Sequence, residues 1–434
     1  MNTFKLKNKV ALLAVGSALS LLPATVMATN GYFSHGYGVS NKGQAGAGVA
    51  VTQNAMSGAT NPAALAKAGN RFDFGIENFT PDRTASTRHD NSGNYDGNND
   101  SSFLIPEFAY NQEFGSDMTF GVVVYGNGGM NTRYNAIPAY VGASGAAETG
   151  VNLEQLFIAP TFTFKINPKH SIGVSLNIIQ QTFEAYGIGN FCGFKSTPCG
   201  DSGASAASRA GLSDQGEDTS TGYSVKIGWT GQLADNFSMG FAYQTMSDME
   251  KFDKYNQLFA EQGGFDIPSN WTIGVAFQPT QDINLMFDVQ QINYTDVASI
   301  SNANGTGSGT GALGTNNGRG FGWDDMTVYK LGGEFNVNSN LVLRAGYSVT
   351  DQPIGADDTS FNLIAPAVIE EHFTFGMTYT LANKSELSAF VMYAPEVTVN
   401  GNATAGAPAS AGASGNGNLS MSQTAFGVGY GWSF

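Results

Sequence analysis

Basic residues are scarce in this sequence. Its 434 residues contain 20 Lys and Arg but 35 Asp and Glu, which gives a formal net charge of −15. A protein with this balance of charge repels the phosphates of a nucleic acid. We therefore expect no nucleic-acid partner.

Long apolar runs are missing as well. An uncharged run at residues 10–22 follows Lys5, Lys7 and Lys9, but it is too short for a membrane-spanning helix, which needs roughly 20 apolar residues. Small residues at 24–28 come next, as they do at the cleavage site of a signal peptide. The sequence therefore predicts export by a signal peptide at residues 1–28.

Cysteine and histidine are also rare. Cys192 and Cys199 lie in one Gly-rich loop with no His beside them, so we predict a local disulfide, with free thiols as the alternative. Nucleophile-elbow, zinc-protease and phosphate-loop motifs are absent. The acidic residues at 89–100 depart from the spacing of a calcium loop. We predict no catalytic residues, no metal site and no cofactor.

What the sequence does contain is a repeated alternation of apolar with small or polar residues. Trp271, Ile273, Val275 and Phe277 share one parity, and Thr272, Gly274 and Ala276 lie between them. The pattern recurs at residues 283–290, 341–349, 372–379 and 425–434. A period of two is typical of strands with one apolar face.

The connections between these strands alternate between short and long. Short polar turns occur at residues 115–117, 167–169, 233–236, 279–282, 336–340 and 382–384. Long Gly- and Asn-rich loops occur at residues 82–101, 126–150, 187–220, 250–269, 296–323, 351–370 and 395–420. This alternation is typical of outer-membrane barrels, which have an even number of strands. We predict an all-β, 14-stranded antiparallel transmembrane β-barrel at residues 71–434.

Residues 29–70 show no such alternation. They are rich in Gly and Ala and too apolar for a disordered tail, so we predict that they form an N-terminal plug, or hatch, inside the lumen. A free periplasmic extension is the alternative. At the other end, Phe434 closes the last strand and is the expected contact for the barrel-assembly machinery.

Several stretches along the chain resemble the FadL/TodX family of outer-membrane transporters. They comprise Gly31-Tyr32-Phe33 and Asn61-Pro62-Ala63 in the plug, residues 120–134 with their glycines, Trp271 followed by Pro279, and Trp323-Asp324-Asp325 before residues 329–332. The resemblance implies passive uptake of a hydrophobic molecule, such as a long-chain fatty acid or a hydrocarbon. By the same resemblance, we expect the molecule to cross the lipopolysaccharide layer and to leave sideways into the outer-membrane lipid.

The predicted substrate path begins at the cell surface. Phe252, Tyr255, Leu258 and Phe259 have helical spacing in an outer loop, so they predict an exposed amphipathic helix that captures substrate or merely caps the barrel. Arg319 and Trp323 resemble a stretch that contributes to the family's internal pocket. Phe390 and Met392 face the lumen, where they line the path or pack against the plug. Lys226, Lys330 and Arg344 also face inward and contact a carboxylate or pair with Glu77, Asp288 or Glu334.

The predicted exit is a gap in the third strand. Gly126, Gly128 and Gly129 interrupt that strand and resemble the family's kinked third strand; alternatively, they begin the next loop. Our hypothesis is that Asn61-Pro62-Ala63 faces this gap and shifts when substrate binds.

Other functions remain open at this stage. A general hydrophilic porin is the second candidate, and a surface adhesin or a hydrolase at the barrel rim is the third. We expect a monomer. The sequence leaves open whether the substrate is a fatty acid or a hydrocarbon.

Overall fold

The computed structural model describes residues 30–86, 94–141, 145–196, 206–304, 311–402 and 417–434. These residues form a barrel of fourteen long strands. The strands are β1 Arg71–Ser86, β2 Phe103–Phe114, β3 Met118–Asn135, β4 Glu148–Asn167, β5 His170–Tyr186, β6 Asp218–Ala234, β7 Phe237–Gln244, β8 Asn270–Thr280, β9 Ile283–Ile292, β10 Met326–Asn338, β11 Leu341–Thr350, β12 Glu371–Thr380, β13 Glu386–Val399 and β14 Leu419–Ser433.

Each strand pairs antiparallel with its sequence neighbours, and the sheet closes on itself. β14 pairs with β1 from Arg71↔Ser433 to Ala85↔Leu419, so neither strand has a free edge. Two short strands, Asn94–Asp96 and Asp248–Met249, pair with the outer parts of β1 and β6. The 14-stranded antiparallel barrel predicted from the alternation is therefore confirmed.

The two faces of each strand have different surroundings. On β5, Ile172, Val174, Leu176 and Ile178 are each 45–50% exposed on the outer face, whereas Ser171, Ser175 and Asn177 are buried on the inner face. Apolar side chains on the outside and polar ones on the inside are what a strand in a lipid bilayer requires. No helix in the described part of the chain is long and apolar enough to cross a membrane.

The helices in the described part of the chain are all short. They are Val39–Lys42, Ser57–Thr60, Pro62–Lys67, Pro138–Val141, Gly189–Phe194, Ala206–Arg209, Asp253–Tyr255, Ala260–Gly263, Tyr294–Asp296, Ala298–Ser301 and Thr359–Asn362. The first three belong to residues 30–70, which we call the N-terminal segment. Residues 30–50 are buried throughout, and the segment hydrogen-bonds to inward side chains of several strands, so it lies within the barrel.

Several strands run further outward than the sequence indicated. β1 continues to Ser86, β3 to Asn135 and β13 to Val399, all inside segments predicted as loops. The Gly and Asn residues in these stretches lack apolar alternation, but their backbone groups are still paired with neighbouring strands. The predicted bounds of these loops were therefore wrong, although their positions were right.

Phe434 lies in an aromatic cluster at the short-turn end of the barrel. Its ring centroid is 5.3 Å from that of Phe72 and 6.1 Å from that of Tyr110, and its N–H donates to the Asn70 carbonyl at 3.1 Å. We expect Phe434→Asp, or deletion of Phe434, to impair membrane insertion because the variant removes this cluster at the seam between β14 and β1. Heat-modifiable mobility of outer-membrane fractions measures insertion. A wild-type amount of folded barrel would contradict the prediction.

Candidate substrate path

The ladder between β2 and β3 ends before the strands do. Its last pair toward the outer side is Phe108↔Val124. Beyond this pair, residues 103–107 of β2 pair only with β1. On β3, most of residues 125–132 pair with β4, with a register shift between Gly126 and Gly128. An opening in the hydrogen-bonded wall thus lies between residues 103–107 and residues 125–132. An isolated bridge between Asn98 and Arg133 bounds it on the outer side.

Residues Tyr32, Phe33 and Ser34, here called the latch, cover this opening from inside the barrel. Phe33 forms an antiparallel bridge with Gly128, the Ser34 N–H donates to the Asn127 carbonyl at 2.8 Å, and the Gly129 N–H donates to the Tyr32 carbonyl at 3.0 Å. A Cβ on Gly128 would lie 1.7 Å from the Tyr32 carbonyl oxygen. Glycine at this position is therefore required for the latch to close.

Tyr294 and Trp323 hold the latch from the opposite side. The Tyr294 hydroxyl accepts the Tyr32 N–H at 3.0 Å and donates to the Asn30 carbonyl at 2.6 Å. Burial raises the pKa of the Tyr294 hydroxyl well above its ordinary value, so it remains a donor. The Trp323 ring lies 6.1 Å from that of Tyr32 and 5.2 Å from that of Tyr294. Sequence reasoning found Trp323 but missed Tyr294, which has no motif of its own.

Inward carboxylates hold the rest of the N-terminal segment by its backbone. Glu107 accepts the Gly38 and Val39 N–H groups at 3.0 and 2.8 Å, and Asp288 accepts the Gly48 and Val49 N–H groups at 2.7 and 2.9 Å. Hydrogen bonds to a charged group are stronger than neutral ones. The body of the segment is therefore fixed more firmly than the latch, which has neutral partners.

The inward cations have separate roles. Lys226 donates to the Ala59 carbonyl and Lys330 donates to the His35 carbonyl at 2.9 Å, so both bind the N-terminal segment. Arg344 pairs with Glu334 at 2.8 Å, which was one of the predicted alternatives. Glu77 pairs with Lys42 of the segment.

Asn61, Pro62 and Ala63 lie elsewhere than predicted. The Pro62 carbonyl accepts the Thr163 hydroxyl at 2.8 Å, and the Asn61 amide donates to the Trp229 carbonyl at 3.0 Å, which places these residues against β4 and β6. A Cβ on Gly228 would be 1.9 Å from the Asn61 side-chain oxygen, so a glycine in the wall makes room for the turn. The hypothesis that this tripeptide faces the glycine gap is therefore wrong.

The outer-loop side chains are brought together, but not on an exposed helix. The chain from 249 to 263 contains only the short helices Asp253–Tyr255 and Ala260–Gly263, and Phe252, Tyr255, Leu258 and Phe259 are buried. Three of their rings pack around Phe183 of β5, at 5.7 Å (Phe252), 4.7 Å (Tyr255) and 4.7 Å (Phe259). The prediction of an exposed amphipathic helix is therefore wrong. These side chains pack against the mouth of the barrel from a loop that contains only two short helices.

A small cavity lies beside this cluster. Leu258, Phe259 and Phe361 contribute apolar surface to its wall, and Arg319 contributes the one basic side chain. The Arg319 guanidinium carbon lies 4.7 Å from the centre of the Phe194 ring. Arg319 and two of the predicted loop residues thus share one site, which we call the outer cavity.

Phe390 and Met392 of β13 are buried inside the barrel. The Phe390 ring lies 6.2 Å from the ring of His35, a residue of the N-terminal segment. This contact favours the alternative in which Phe390 packs against the segment.

Cys192 is buried and disulfide-bonded, whereas Cys199, its predicted partner, lies outside the described residues, as does the predicted signal peptide. We expect peptide mapping without reductant to recover residues 192 and 199 in one linked species, because the chain has two cysteines and is exported to an oxidising compartment. Alkylation of both thiols without prior reduction would contradict this expectation.

Comparison with known proteins identifies the family to which this chain belongs. The sequence matches the family described as outer membrane protein transport protein (OMPP1/FadL/TodX) over residues 20–434. The chain belongs to this family. No protein with a curated description matches it.

Solved structures of similar fold include the Pseudomonas putida toluene transporter TodX, which is 18% identical with a TM-score of 0.68 over 92% of this chain and 99% of that one. A Pseudomonas aeruginosa FadL homologue is 14% identical with a TM-score of 0.68 over 93% and 100%. The Ralstonia pickettii toluene transporter TbuX is 17% identical with a TM-score of 0.63 over 92% and 99%. The family and the barrel together make this chain an outer-membrane transport protein.

Proposed function

We propose that this member of the OMPP1/FadL/TodX family takes up hydrophobic molecules passively and releases them sideways into the outer membrane. The observation that carries the proposal is the opening between β2 and β3, which the latch covers from inside. In this proposal, Gly126, Gly128 and Gly129 form one rim of the exit. Displacement of residues 32–34 opens the exit.

The energetics of an apolar molecule favour this route. Each methylene that passes from an apolar site into water loses about 0.8 kcal/mol of favourable transfer free energy. Release into periplasmic water would therefore oppose uptake of a long alkyl chain, whereas release into lipid would not. An opening in the barrel wall lets the chain move from the lumen to lipid without crossing water.

Entry begins at the outer cavity in this proposal. Leu258, Phe259 and Phe361 supply apolar surface there, and the Phe321 ring, also in its wall, lies 5.9 Å from the Trp323 ring. Trp323 in turn contacts Tyr32 of the latch. A continuous chain of aromatic contacts therefore joins the outer cavity to the latch, and it gives a ligand a means of loosening the latch.

A general hydrophilic porin is disfavoured by the interior of the barrel. The N-terminal segment binds the wall through Glu107, Asp288, Lys226 and Lys330, which lie on different strands. Anchors distributed in this way favour a segment that stays inside during transport and blocks the periplasmic end. We propose that the barrel acts as a monomer and that the barrel-assembly machinery recognises Phe434.

Two measurements on the intact protein test this function. Cells that lack other channels for hydrophobic compounds should accumulate a radiolabelled long-chain fatty acid or alkane faster when they express this protein than when they carry the empty vector. The purified protein should give small and irregular conductance in planar bilayers, because the N-terminal segment fills the lumen. Large, steady channels without accelerated uptake would support a porin instead.

A further inference from the structure

A chain of buried side-chain amides, here called the amide relay, runs along the inner wall from the rim of the opening to an outer loop. The Asn127 Nδ2 donates to the Gln155 Oε1 at 3.0 Å, and the Gln155 Nε2 donates to the Gln181 Oε1 at 3.2 Å. The Gln181 Nε2 donates to the Phe265 carbonyl at 2.7 Å. All three amides are buried. The relay therefore crosses β3, β4 and β5 and ends on the loop before β8.

The first member of the relay, Asn127, is the extra residue of the bulge in β3. Gly126 pairs with Leu156 and Gly128 pairs with Gln155, so Asn127 has no partner residue on β4. The Asn127 carbonyl also accepts an N–H group of the latch at 2.8 Å. Because the β4 ladder does not fix this residue, its side-chain hydrogen bonds decide how it presents its carbonyl to the latch.

Both polar atoms of the Asn127 side chain are held. Its Nδ2 binds Gln155 of the wall, and its Oδ1 accepts the Tyr37 hydroxyl at 2.8 Å. Tyr37 belongs to the body of the N-terminal segment. The body, the latch and the barrel wall thus meet at this one residue.

The outer end of the relay lies beside the outer cavity. The Phe265 ring is 4.7 Å from the ring of Phe259, which contributes to the wall of that cavity. Gln181 lies two residues before Phe183, around which the outer-loop rings pack. A shift of the loop at the outer cavity therefore moves the carbonyl that Gln181 binds.

Complete hydrogen bonding distinguishes the relay from other inward amides. Each of its three amides uses both its nitrogen and its oxygen. Among the described residues, by contrast, the Asn177 Oδ1, the Gln244 Nε2 and the Gln290 Oε1 have no partner. A fully satisfied buried network favours one arrangement, and loss of one member leaves its neighbours unsatisfied. The relay should therefore act as a unit.

We propose that Gln155 and Gln181 are positioning residues for the exit: they hold Asn127 in the bulge and keep the latch closed until the loop at Phe265 moves. The proposal rests on the function proposed above, because opening of the latch is the transport step. It adds a polar route from the outer cavity to the latch, separate from the aromatic contacts of Trp323.

Alkylation of an introduced thiol in the purified full-length protein tests the proposal. Ser34→Cys places the thiol in the latch, and Ser40→Cys places it in the body of the N-terminal segment; both positions are buried. We expect Gln155→Met and Gln181→Met to raise the alkylation rate at residue 34 by roughly tenfold or more, because each removes two hydrogen bonds. The rate at residue 40 should not change.

Three further variants sharpen this test. The double variant Gln155→Met with Gln181→Met should react no faster at residue 34 than either single variant, because the links act together. Gln290→Met is the matched control, since it removes a buried inward glutamine of β9 outside the relay and should leave both rates unchanged. Gln181→Asn stays polar but is one methylene too short to bridge its two partners. It should also raise the rate at residue 34, and it keeps the test informative if the methionine variants do not fold.

The response to a bound molecule separates positioning from structural support. The probe is dodecan-1-ol, which we expect to raise the alkylation rate at residue 34 in protein with an intact relay. In Gln181→Met the same probe should cause a smaller further rise, because the polar route is already broken. A residue that merely supported the fold would leave this response intact.

Four results would overturn the proposal. They are unchanged rates at residue 34 in the Gln155 and Gln181 variants, an equal rise at residue 40, no response of the intact relay to dodecan-1-ol, and a full response in Gln181→Met. Each of them leaves hydrophobic uptake standing. Failure of cells with the wild-type protein to take up substrate faster than the empty vector would instead contradict the function proposed above.

Discussion

Replacing Gly128 with alanine should leave the barrel folded and raise the leak of small hydrophobic dyes across the outer membrane. The new Cβ would lie 1.7 Å from the Tyr32 carbonyl oxygen, so Tyr32 and Phe33 must move away. That movement breaks the hydrogen bonds of Ser34 and Gly129 with their partners, each of which contributes about 1 kcal/mol. Loss of both would shift the latch toward its open position by roughly tenfold or more.

Replacing Gly128 with tryptophan should have the opposite effect on uptake. Its Cβ displaces Tyr32 as that of alanine does, but the indole then occupies the exit between β2 and β3. Uptake of a long-chain substrate should therefore fall to the level of the empty vector while the amount of folded barrel stays normal. Gly333→Ala is the matched control, because a Cβ there would meet Leu285 at an ordinary distance of 3.6 Å. Dye entry and uptake are measured in the same cells. If the Ala and Trp variants behave alike, or both behave like wild type, the exit does not lie at Gly128.

The sequence predicted those features that local alternation determines. Period-two segments such as residues 271–278 and 425–434 gave the number of strands, because a strand between lipid and a polar lumen must alternate. The short turns were also placed correctly, since they interrupt that alternation sharply. The predicted strand ends were less accurate. The outer parts of β1 and β3 pair with neighbouring strands but have no apolar face, so the sequence shows no alternation there.

Features that depend on contacts between distant residues were harder to predict. Phe252, Tyr255 and Phe259 have helical spacing, but Phe183, far away in sequence, organises them into a compact loop. Asn61-Pro62-Ala63 was placed at the wrong wall, because its position depends on Gly228 of another strand.

In the proposed transport cycle, the latch moves while the body of the N-terminal segment stays in place. Two engineered disulfides separate these motions. Ser34→Cys with Asn127→Cys joins the latch to β3, where opposed residues of an antiparallel pair have Cα atoms roughly 4.5–5.5 Å apart, within reach of a disulfide. Ser40→Cys with Ser388→Cys joins the body of the segment to β13, where the two hydroxyl oxygens are 3.4 Å apart.

Uptake of a radiolabelled long-chain substrate by cells carrying each pair, before and after reduction, is the most direct test. The oxidised Ser34–Asn127 pair should abolish uptake, and reduction should restore it, because the bond holds the latch over the opening. The variant with cysteines at residues 40 and 388 should transport at the wild-type rate both before and after reduction. Any effect of reducing the native cysteines would appear equally in both variants. Normal uptake with the latch bonded, or loss of uptake with only the body bonded, would contradict the account.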